Sequence, residues 1–337
     1  MIQEMDLMEI FYWFHRHPEL SYEEYDTTAQ IKKLLKAADV KILPIPMETG
    51  LIAEVKGEKD GPVQALRCDI DALPITELTD LPYASECPGK MHACGHDFHI
   101  TAGIGTAIWL QEHRDELCGT VRFFFQPGEE SSLGARKVLE TTALDSVTRV
   151  WGFHSDPTNL VNAIGIREGA VAAAVDRFVI TITGVGCHGA HPDDGVDPIP
   201  AAVAMVQAFQ TIVTRNINPF HPALISVTRL EAGNTWNVIP QTAQLEGTVR
   251  TMDRQDRCLF EKRLKAIAEQ TASAYGASAE VEWIPGPPAV CNDAEMAAFA
   301  KETAEAEGFQ TVPEEQSLGG DAVSYTHLRA HETTLHL

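Results

Sequence analysis

The spacing of hydrophobic residues predicts alternating helices and strands in the first half of the chain. Apolar positions recur at helical spacing over about 3–15, again over 22–39, and again over 99–114. Short apolar runs bounded by Gly, Pro and Asp separate these segments, namely LIAEVKG, VQALRCDIDAL and VRFFFQP. Alternation of this kind is typical of an α/β domain with a largely parallel sheet.

The order of elements changes near residue 175. From there the pattern predicts a strand (DRFVITITG), a helix, two strands (ALISVTRLEAG and TAQLEGTVR), a second helix and a last strand (SAEVEWIPG). This β-α-β-β-α-β order is the ferredoxin-like arrangement. We therefore predict a second domain at 175–283, inserted into a catalytic domain formed by 1–174 and 284–323.

The final stretch, SYTHLRAHETTLHL, differs from everything before it. It shows neither strand nor helix periodicity, yet it holds three of the thirteen histidines. We interpret 324–337 as a non-native ending and leave its histidines, including His327, His331 and His336, out of the predicted site.

Charge and cysteine content narrow the class of protein. With 26 Lys and Arg against 48 Asp and Glu, the 337 residues carry a formal charge of −22, which disfavours nucleic acid and anionic membranes as partners. No apolar run is long enough to span a bilayer, and the N-terminus lacks the basic region of a secretory signal. Seven scattered cysteines indicate free thiols in a reducing compartment. We predict a cytoplasmic protein.

The segment Cys94-Gly-His96 offers two metal donors. If it is extended, the thiolate and the imidazole point the same way. They would suit zinc or a neighbouring metal. The alternative is a buried cysteine beside a polar loop histidine. His92, Asp97 and His99 stand close by, and so many ionisable groups need partners if they are buried. This density favours a metal site.

Two further acidic pairs follow predicted strands. Asp69 and Asp71 end one strand, where active sites of α/β sheets form; a solvated loop pair is the alternative. Glu129 and Glu130 follow the strand VRFFF. There one carboxylate could bind metal while the other takes a proton from water. A second interpretation, compatible with the first, places both acids at the N-terminus of a helix predicted for SSLGARKVLE, where they would complement its dipole.

The last candidate is His154, at the end of the apolar run VWGFH. A lone histidine in that place is more often structural than a ligand. The three other strand ends that carry donors favour the ligand hypothesis here.

Six blocks together resemble a known family, the aminoacylase/carboxypeptidase-type dinuclear metallohydrolases. The blocks are ALRCDIDALPITE, GKMHACGHDFH, FFFQPGEES, GFHSDP, GCHGAHPDDGVDPI and NTWNVIPQTAQLEGTVR. The resemblance covers about 15–321, and within the family it is to the branch of hippurate hydrolase, N-acetyl-diaminopimelate deacetylase and auxin-conjugate hydrolases. It implies a metal-binding catalytic domain with an inserted ferredoxin-like lid and dimerisation domain.

The resemblance also implies roles for individual residues. Glu129 matches the general base that activates a metal-bridging water, and Asp71 matches the acid that orients the site. Asp69 occupies the place of a ligand histidine in other branches. The ligands of two divalent ions (Mn, Zn, Co or Ni) would be Cys94, His96, Glu130 and His154.

In the lid, the resemblance gives three residues a function. His188 matches a histidine that reaches the active site of the partner subunit in a homodimer and stabilises the oxyanion. Asn237 and Arg250 match positions near the amide and the carboxylate of the substrate, and an arginine suits a carboxylate bidentately. By themselves these residues would be interpreted as a surface histidine, a turn asparagine and a strand-face arginine.

The implied activity is hydrolysis of N-acyl amino acids, with an acetyl, benzoyl or similar acyl group. A dipeptidase or carboxypeptidase of the same family is an alternative, and an inactive, truncated metal-binding relative is another. Family members take one more histidine ligand from a C-terminal block that has no matching motif in this sequence. We therefore expect the second ion to lack one ligand.

Overall fold

The structure, a computed structural model, describes residues 6–157, 159–318 and 331–336. These residues divide into two compact units. The first contains the described residues up to Val171, those of 290–315 and the segment 331–336. The second contains Ala172–Ala289 together with 316–318, so the predicted boundaries at 175 and 283 lie inside it.

The elements alternate along the chain much as the hydrophobic pattern predicts. The helices are α1 (Leu7–Arg16), α2 (Tyr25–Ala37), α3 (His96–Glu112), α4 (Gly134–Leu139), α5 (Pro198–Arg215), α6 (Arg254–Ala274) and α7 (Ala294–Ala306). The strands are β1 (Lys41–Ile42), β2 (Leu51–Lys56), β3 (Lys59–Asp69), β4 (Cys118–Gln126), β5 (Val147–His154), β6 (Ala163–Ile166), β7 (Gly169–Ala172), β8 (Ala174–Thr183), β9 (Cys187–His188), β10 (Ala223–Ala232), β11 (Val238–Ile239), β12 (Thr242–Thr251), β13 (Ser278–Pro285), β14 (Val290–Asn292), β15 (Gln310–Pro313) and β16 (His331–His336).

The first unit is built on a mixed sheet of strand order β1-β2-β4-β3-β5-β16-β6-β15. Its centre is parallel, because β3 pairs in parallel with both β4 and β5, whereas β2 joins β4 antiparallel. The predicted α/β class is confirmed. Since parallel strands end at the same edge of a sheet, the last residues of the three central strands, Asp69, Gln126 and His154, meet there.

Helices α1, α2 and α3 bury their apolar faces together with this sheet. Phe14, Ile31, Leu35, Ile104 and Phe125 are fully buried in the shared core. Burial of each such side chain contributes about 1.5–3 kcal/mol. This core anchors the strand ends that carry the polar groups.

The second unit is an antiparallel sheet of order β10-β12-β8-β13, against which α5 and α6 pack. Phe178, Phe209, Phe260 and Leu264 form the centre of its core. The β-α-β-β-α-β order and the strand arrangement are those of the predicted ferredoxin-like fold.

The C-terminal stretch departs from expectation. No regular element is predicted for 324–337, but His331–His336 forms β16, which pairs in parallel with β5 and touches β6. Backbone pairing of this kind needs no side-chain periodicity, which explains why the sequence carries no signal for it. His327 lies outside the described residues, as do the side chains of His331 and His336.

Within the described ranges, no helix is both long and apolar enough to cross a membrane.

Candidate metal centre

The backbone around Cys94 and His96 is a turn that leads into a helix. It is not the extended geometry in which the Cys94 and His96 side chains would point the same way. Gly95 has φ +80° and His96 is the first residue of α3. A side chain at Gly95 would be strained in this conformation, and its Cβ would lie 2.2 Å from Ser155 Oγ. Glycine therefore permits both the turn and its close approach to the end of β5.

Five predicted residues come together in one cluster. Donor atoms of Cys94, His96 and His154 all lie within 4.8 Å of one another, and so do those of His96, Glu129 and Glu130. Cys94 Sγ is 3.5 Å from His154 Nε2, and His96 Nε2 is 3.9 Å from Glu130 Oε1. His96 belongs to both groups, so it lies between the sulfur side and the carboxylate side.

Two donor atoms in this cluster are buried without a hydrogen-bond partner among the described residues. They are His96 Nε2 and Glu130 Oε1. The other ring nitrogen of His96 donates to the Asp71 carbonyl oxygen at 2.8 Å, so Nε2, which lies 3.4 Å from Asp69 Oδ2, is the nitrogen that would bind an ion in exchange for its proton. Buried polar atoms are normally paired, and thiolate, imidazole and carboxylate donors suit a divalent transition ion. The residues present therefore fit such an ion.

The electrostatics of the cluster also favour a cation. Burial lowers the pKa of His96, but Asp69 and Asp71 outweigh it and raise that pKa well above its usual value. Burial raises the pKa of Glu130, and neighbouring Asp71 adds to this effect while His96 opposes it. Burial would raise the pKa of Cys94 too, but His154 and His96 lower it overall. The site stabilises positive charge and a thiolate.

Asp71 holds the loop that carries the two glutamates. Its carboxylate accepts the backbone N–H groups of Glu129 at 3.0 Å and Glu130 at 2.9 Å, and the Ser21 hydroxyl at 2.6 Å. Burial raises the pKa of Asp71, but its bonds to His96, Ser21 and the Glu130 N–H lower it overall. Asp71 is thus an ionised anchor, and the alternative of a solvated loop pair is wrong for this residue.

Asp69 has different partners from Asp71. It forms an ion pair with Arg67 at 2.8 Å and accepts from His99 Nδ1 at 2.6 Å. The other nitrogen of His99 accepts the Ser155 N–H at 2.9 Å, and burial lowers the pKa of His99. His99 is therefore a neutral ring with both nitrogens engaged.

Sequence reasoning missed Arg67 and left His99 without a role. The spacing of these two residues along the chain could have identified them. Arg67 lies two residues before Asp69 on β3, and His99 lies three residues after His96 on α3, so each shares a face with a site residue.

Glu129 and Glu130 lie in a turn after β4. Helix α4 begins only at Gly134, and its first turn holds no acid. The interpretation that these acids complement a helix dipole is therefore wrong. Glu129 Oε1 lies 3.9 Å from Arg67 Nη2, and Glu129 Oε2 lies 4.0 Å from His96 Nε2.

A cavity of about 910 Å³ adjoins the cluster, and Cys94, His154 and Ser155 form part of its lining. It is large enough for a small-molecule substrate. His92 also lines it but lies outside the donor cluster. Burial lowers the pKa of His92 to about 4, so this ring is neutral.

The second unit carries His188 and Asn237 side by side. His188, in β9, is exposed and pairs with Val238 of β11, and the Asn237 carbonyl accepts the Gly189 N–H at 2.8 Å. His188 Nδ1 accepts the Ala190 N–H at 3.1 Å. A neutral His188 ring therefore carries its proton on Nε2, which makes Nε2 a hydrogen-bond donor.

Arg250 lies on β12 of the same unit and is half-buried. Its Nη1 donates to the Val249 carbonyl at 3.2 Å and to the Thr248 hydroxyl. Burial lowers the pKa of Arg250. Its hydrogen bonds go to neutral groups, and the charge of nearby Asp176 opposes the effect of burial.

Comparison with known proteins agrees with this geometry. The model of peptidase family M20/M25/M40 matches residues 65–335. N-acetylcysteine deacetylase of Bacillus subtilis (strain 168) is 49% identical over 91% of this chain and 81% of its own length. Thermostable carboxypeptidase 1 of Saccharolobus solfataricus is 34% identical over 83% of this chain and 74% of its own length.

A solved structure extends the likeness to three dimensions. The Bacillus subtilis YXEP protein, described as a dinuclear metal binding peptidase from the M20 family, superposes with a TM-score of 0.89 at 44% identity. The match covers 98% of this chain and 87% of that one. The resemblance inferred from the motifs is confirmed: this chain belongs to peptidase family M20/M25/M40, whose members are hydrolases.

Proposed function

We propose that this protein is a metal-dependent amidohydrolase that cleaves N-acyl amino acids into an amino acid and a carboxylic acid. The observation that carries the proposal is the buried cluster of thiol, imidazole and carboxylate donors, in which His96 Nε2 and Glu130 Oε1 accept no hydrogen bond from the described residues. Cys94, His96, Glu130 and His154 would hold the ions, and the likeness to a dinuclear peptidase supports two of them. The donor set is compatible with Mn, Zn, Co or Ni.

A divalent ion at this site would supply Lewis acidity, which polarises the amide carbonyl and lowers the pKa of water. Glu129 is the proposed general base. It takes a proton from water as the water oxygen bonds to the amide carbon, and it delivers that proton to the nitrogen as the C–N bond breaks. Asp71 keeps Glu129 in place through the Glu129 backbone N–H.

The lid residues complete the proposed reaction. His188 Nε2 is set up as a donor by the bond from Ala190 to Nδ1, which is what stabilisation of an oxyanion requires. Arg250 would bind the substrate carboxylate, and Asn237 the amide. We further propose that the protein is a homodimer through its second unit, and that His188 serves the site of the partner subunit.

The similarity to a protein named N-acetylcysteine deacetylase makes N-acetyl amino acids the first substrates to test. The similarity to a thermostable carboxypeptidase supports a second candidate, cleavage at the carboxyl end of a dipeptide or peptide. Both substrates present an amide next to a free carboxylate, so the same site chemistry serves either.

A cytoplasmic location is also proposed. Cys68, Cys87, Cys94, Cys118, Cys187 and Cys258 are free thiols in the structure, as expected for a protein of a reducing compartment.

The test combines metal content with a substrate panel. Elemental analysis after loading with each candidate ion is expected to show two ions per chain. Hydrolysis of N-acetyl and N-benzoyl amino acids should be lost with a chelator and restored by metal. Dipeptides cleaved faster than every N-acyl amino acid would favour the peptidase. One ion or none, without turnover of any substrate, would identify an inactive relative and overturn the proposal.

A further inference from the structure

The segment 19–24, between α1 and α2, contacts both loops that carry the site's acids. On the β3 side, the Glu19 carbonyl accepts the Ala72 N–H at 2.8 Å, and Ser21 donates to Asp71. On the β4 side, the Glu24 carboxylate accepts the Gly128 N–H at 2.8 Å. One short segment therefore links the loops after two different strands.

The hydrogen bond to Glu24 is one of three between consecutive backbone N–H groups and buried carboxylates. Gly128, Glu129 and Glu130 are consecutive, and all three backbone N–H groups donate to buried carboxylates: the first to Glu24, the next two to Asp71. Such bonds fix the peptide planes on both sides of Glu129. The directions in which Glu129 and Glu130 leave the backbone are thereby set.

Tyr22 holds the same loop from another side. A Cβ on Gly128 would lie 2.4 Å from the Tyr22 ring, and Gly128 has φ +64°. The Ser131 hydroxyl donates to Tyr22 Oη at 3.0 Å, and Lys137 Nζ lies 3.6 Å from the centre of the Tyr22 ring. The loop can therefore approach segment 19–24 only because residue 128 is glycine.

Glu24 stands just before α2, where an acidic side chain often caps a helix. Although it precedes α2, its side chain does not cap that helix; Glu19 accepts the first-turn N–H groups of Asp26 and Thr27 instead. Glu24 is 0% exposed, and besides the Gly128 N–H its carboxyl group interacts with the Thr49 side chain and the Tyr22 backbone. Burial of a carboxyl group in this way is destabilising, so its benefit has to lie in what it holds.

We propose that Glu24 is a positioning residue for hydrolysis, which acts through the Gly128 N–H to set the placement of Glu129 and Glu130. Because this role presupposes the proposed functions of those two residues, it has to be tested by metal placement as well as by turnover.

The experiment compares Glu24→Gln, Glu24→Asp and Glu24→Ala in the metal-loaded protein. Glu24→Gln keeps an acceptor oxygen at the same distance from the backbone. Glu24→Asp keeps the charge, but its side chain is shorter by one methylene group. We expect the Glu24→Gln protein to retain turnover. The Glu24→Asp and Glu24→Ala proteins should lose about 100-fold in kcat with little change in KM, because a misplacement of about 1 Å has an effect of this size. In the cobalt-loaded protein, the visible spectrum should change in Asp and Ala but not in Gln.

Two control variants separate positioning from stability and from charge. Leu35→Ala removes a fully buried side chain from α2 without touching the loop, and Glu23→Ala removes the neighbouring exposed acid. The proposal is overturned if Glu24→Asp has a higher kcat than Glu24→Gln, since the charge of residue 24 would then matter more than the position of its acceptor atom. It is equally overturned if Leu35→Ala, at matched stability, loses as much kcat as Glu24→Asp.

The proposed function has a separate point of failure. If Glu129→Gln turned over normally, the assigned base would be wrong, while the cobalt spectra would still report whether Glu24 places Glu130.

Discussion

The side chain of His96 is tied to the backbone of Asp71: its Nδ1 donates to the Asp71 carbonyl oxygen at 2.8 Å. This bond leaves Nε2 facing the carboxylates of the site, 3.4 Å from Asp69 Oδ2 and 3.9 Å from Glu130 Oε1. The carboxylate of the same Asp71 accepts the backbone N–H groups of Glu129 and Glu130. One aspartate therefore positions a predicted histidine ligand, a predicted carboxylate ligand and the predicted base.

Substitution of Asp71 by Asn should weaken metal binding and turnover together. An amide replaces one acceptor oxygen by a donor, which would face a backbone N–H or the Ser21 hydroxyl. The expected loss is about 10–100-fold in metal affinity or kcat, as for other residues that hold ligands in place. Competition with a metal indicator and steady-state kinetics measure both quantities. Unchanged metal affinity and kcat would contradict the role of Asp71.

Glu129→Gln should retain its ions and lose catalysis. Glutamine cannot accept the proton from water, so we expect kcat to fall by about 10²–10⁴-fold. Elemental analysis of the same preparation serves as the control, because an equal loss of bound metal would mean that Glu129 is a ligand instead of a base.

His188→Ala should lower kcat by about 10²–10³-fold if it removes an oxyanion donor. When the His188→Ala and Glu129→Gln proteins are mixed under conditions that allow subunits to exchange, activity should rise to about a quarter of the wild-type value. Random pairing makes half of the dimers mixed, and each mixed dimer has one intact site. Activity no higher than that of the two separate variants would show that His188 does not serve a partner's site.

Arg67→Met should destabilise the fold strongly. Arg67 is 1% exposed and pairs with Asp69, and loss of one partner leaves a buried charge uncompensated, at a cost of about 3–5 kcal/mol. Urea unfolding measures this change in the free energy of unfolding. The control is Arg136→Met, because Arg136 forms only an exposed pair with Glu140, worth below about 1 kcal/mol. Equal effects of the two substitutions would refute the buried-pair account.

The contribution of His15 to stability should depend on pH. His15 Nδ1 lies 2.6 Å from Asp97 and Nε2 lies 3.2 Å from Glu77. The bond to Asp97 raises the pKa of His15, burial opposes this, and Glu77 adds to it. A histidine whose pKa is higher in the folded than in the unfolded protein stabilises the fold when it is protonated. This stabilisation is complete at pH values below the unfolded-state pKa near 6.5, and it is lost as the pH rises through the folded-state pKa.

We therefore expect the cost of His15→Gln, measured by urea unfolding at several pH values, to shrink as pH rises above neutrality. His113→Gln is the matched control, since His113 is half-buried, bonds a local carbonyl and stacks on Trp109. A cost of His15→Gln that stays constant with pH would show that protonation of His15 does not stabilise the fold.

Much of the site follows from local sequence. The pattern around VQALRCDIDAL and VRFFFQPGEE predicts strands that end in acids, and the structure ends β3 and β4 there. The sequence gives no sign that Asp69 binds Arg67 while Asp71 binds a loop. Residues two apart on a strand look equivalent until their neighbours are known.

The α/β class, the ferredoxin-like order of the second unit, the family and the donor residues could all be predicted from the amino-acid sequence. These predictions rest on periodicity and on the chemistry at strand ends, which are local properties of the chain. The partner of each carboxylate, the pairing of β16 with β5 and the contact between Glu24 and Gly128 depend on the packing of distant elements. That last contact joins residues 104 positions apart. A hydrogen bond across such a distance depends on how whole elements pack, and no local pattern encodes it.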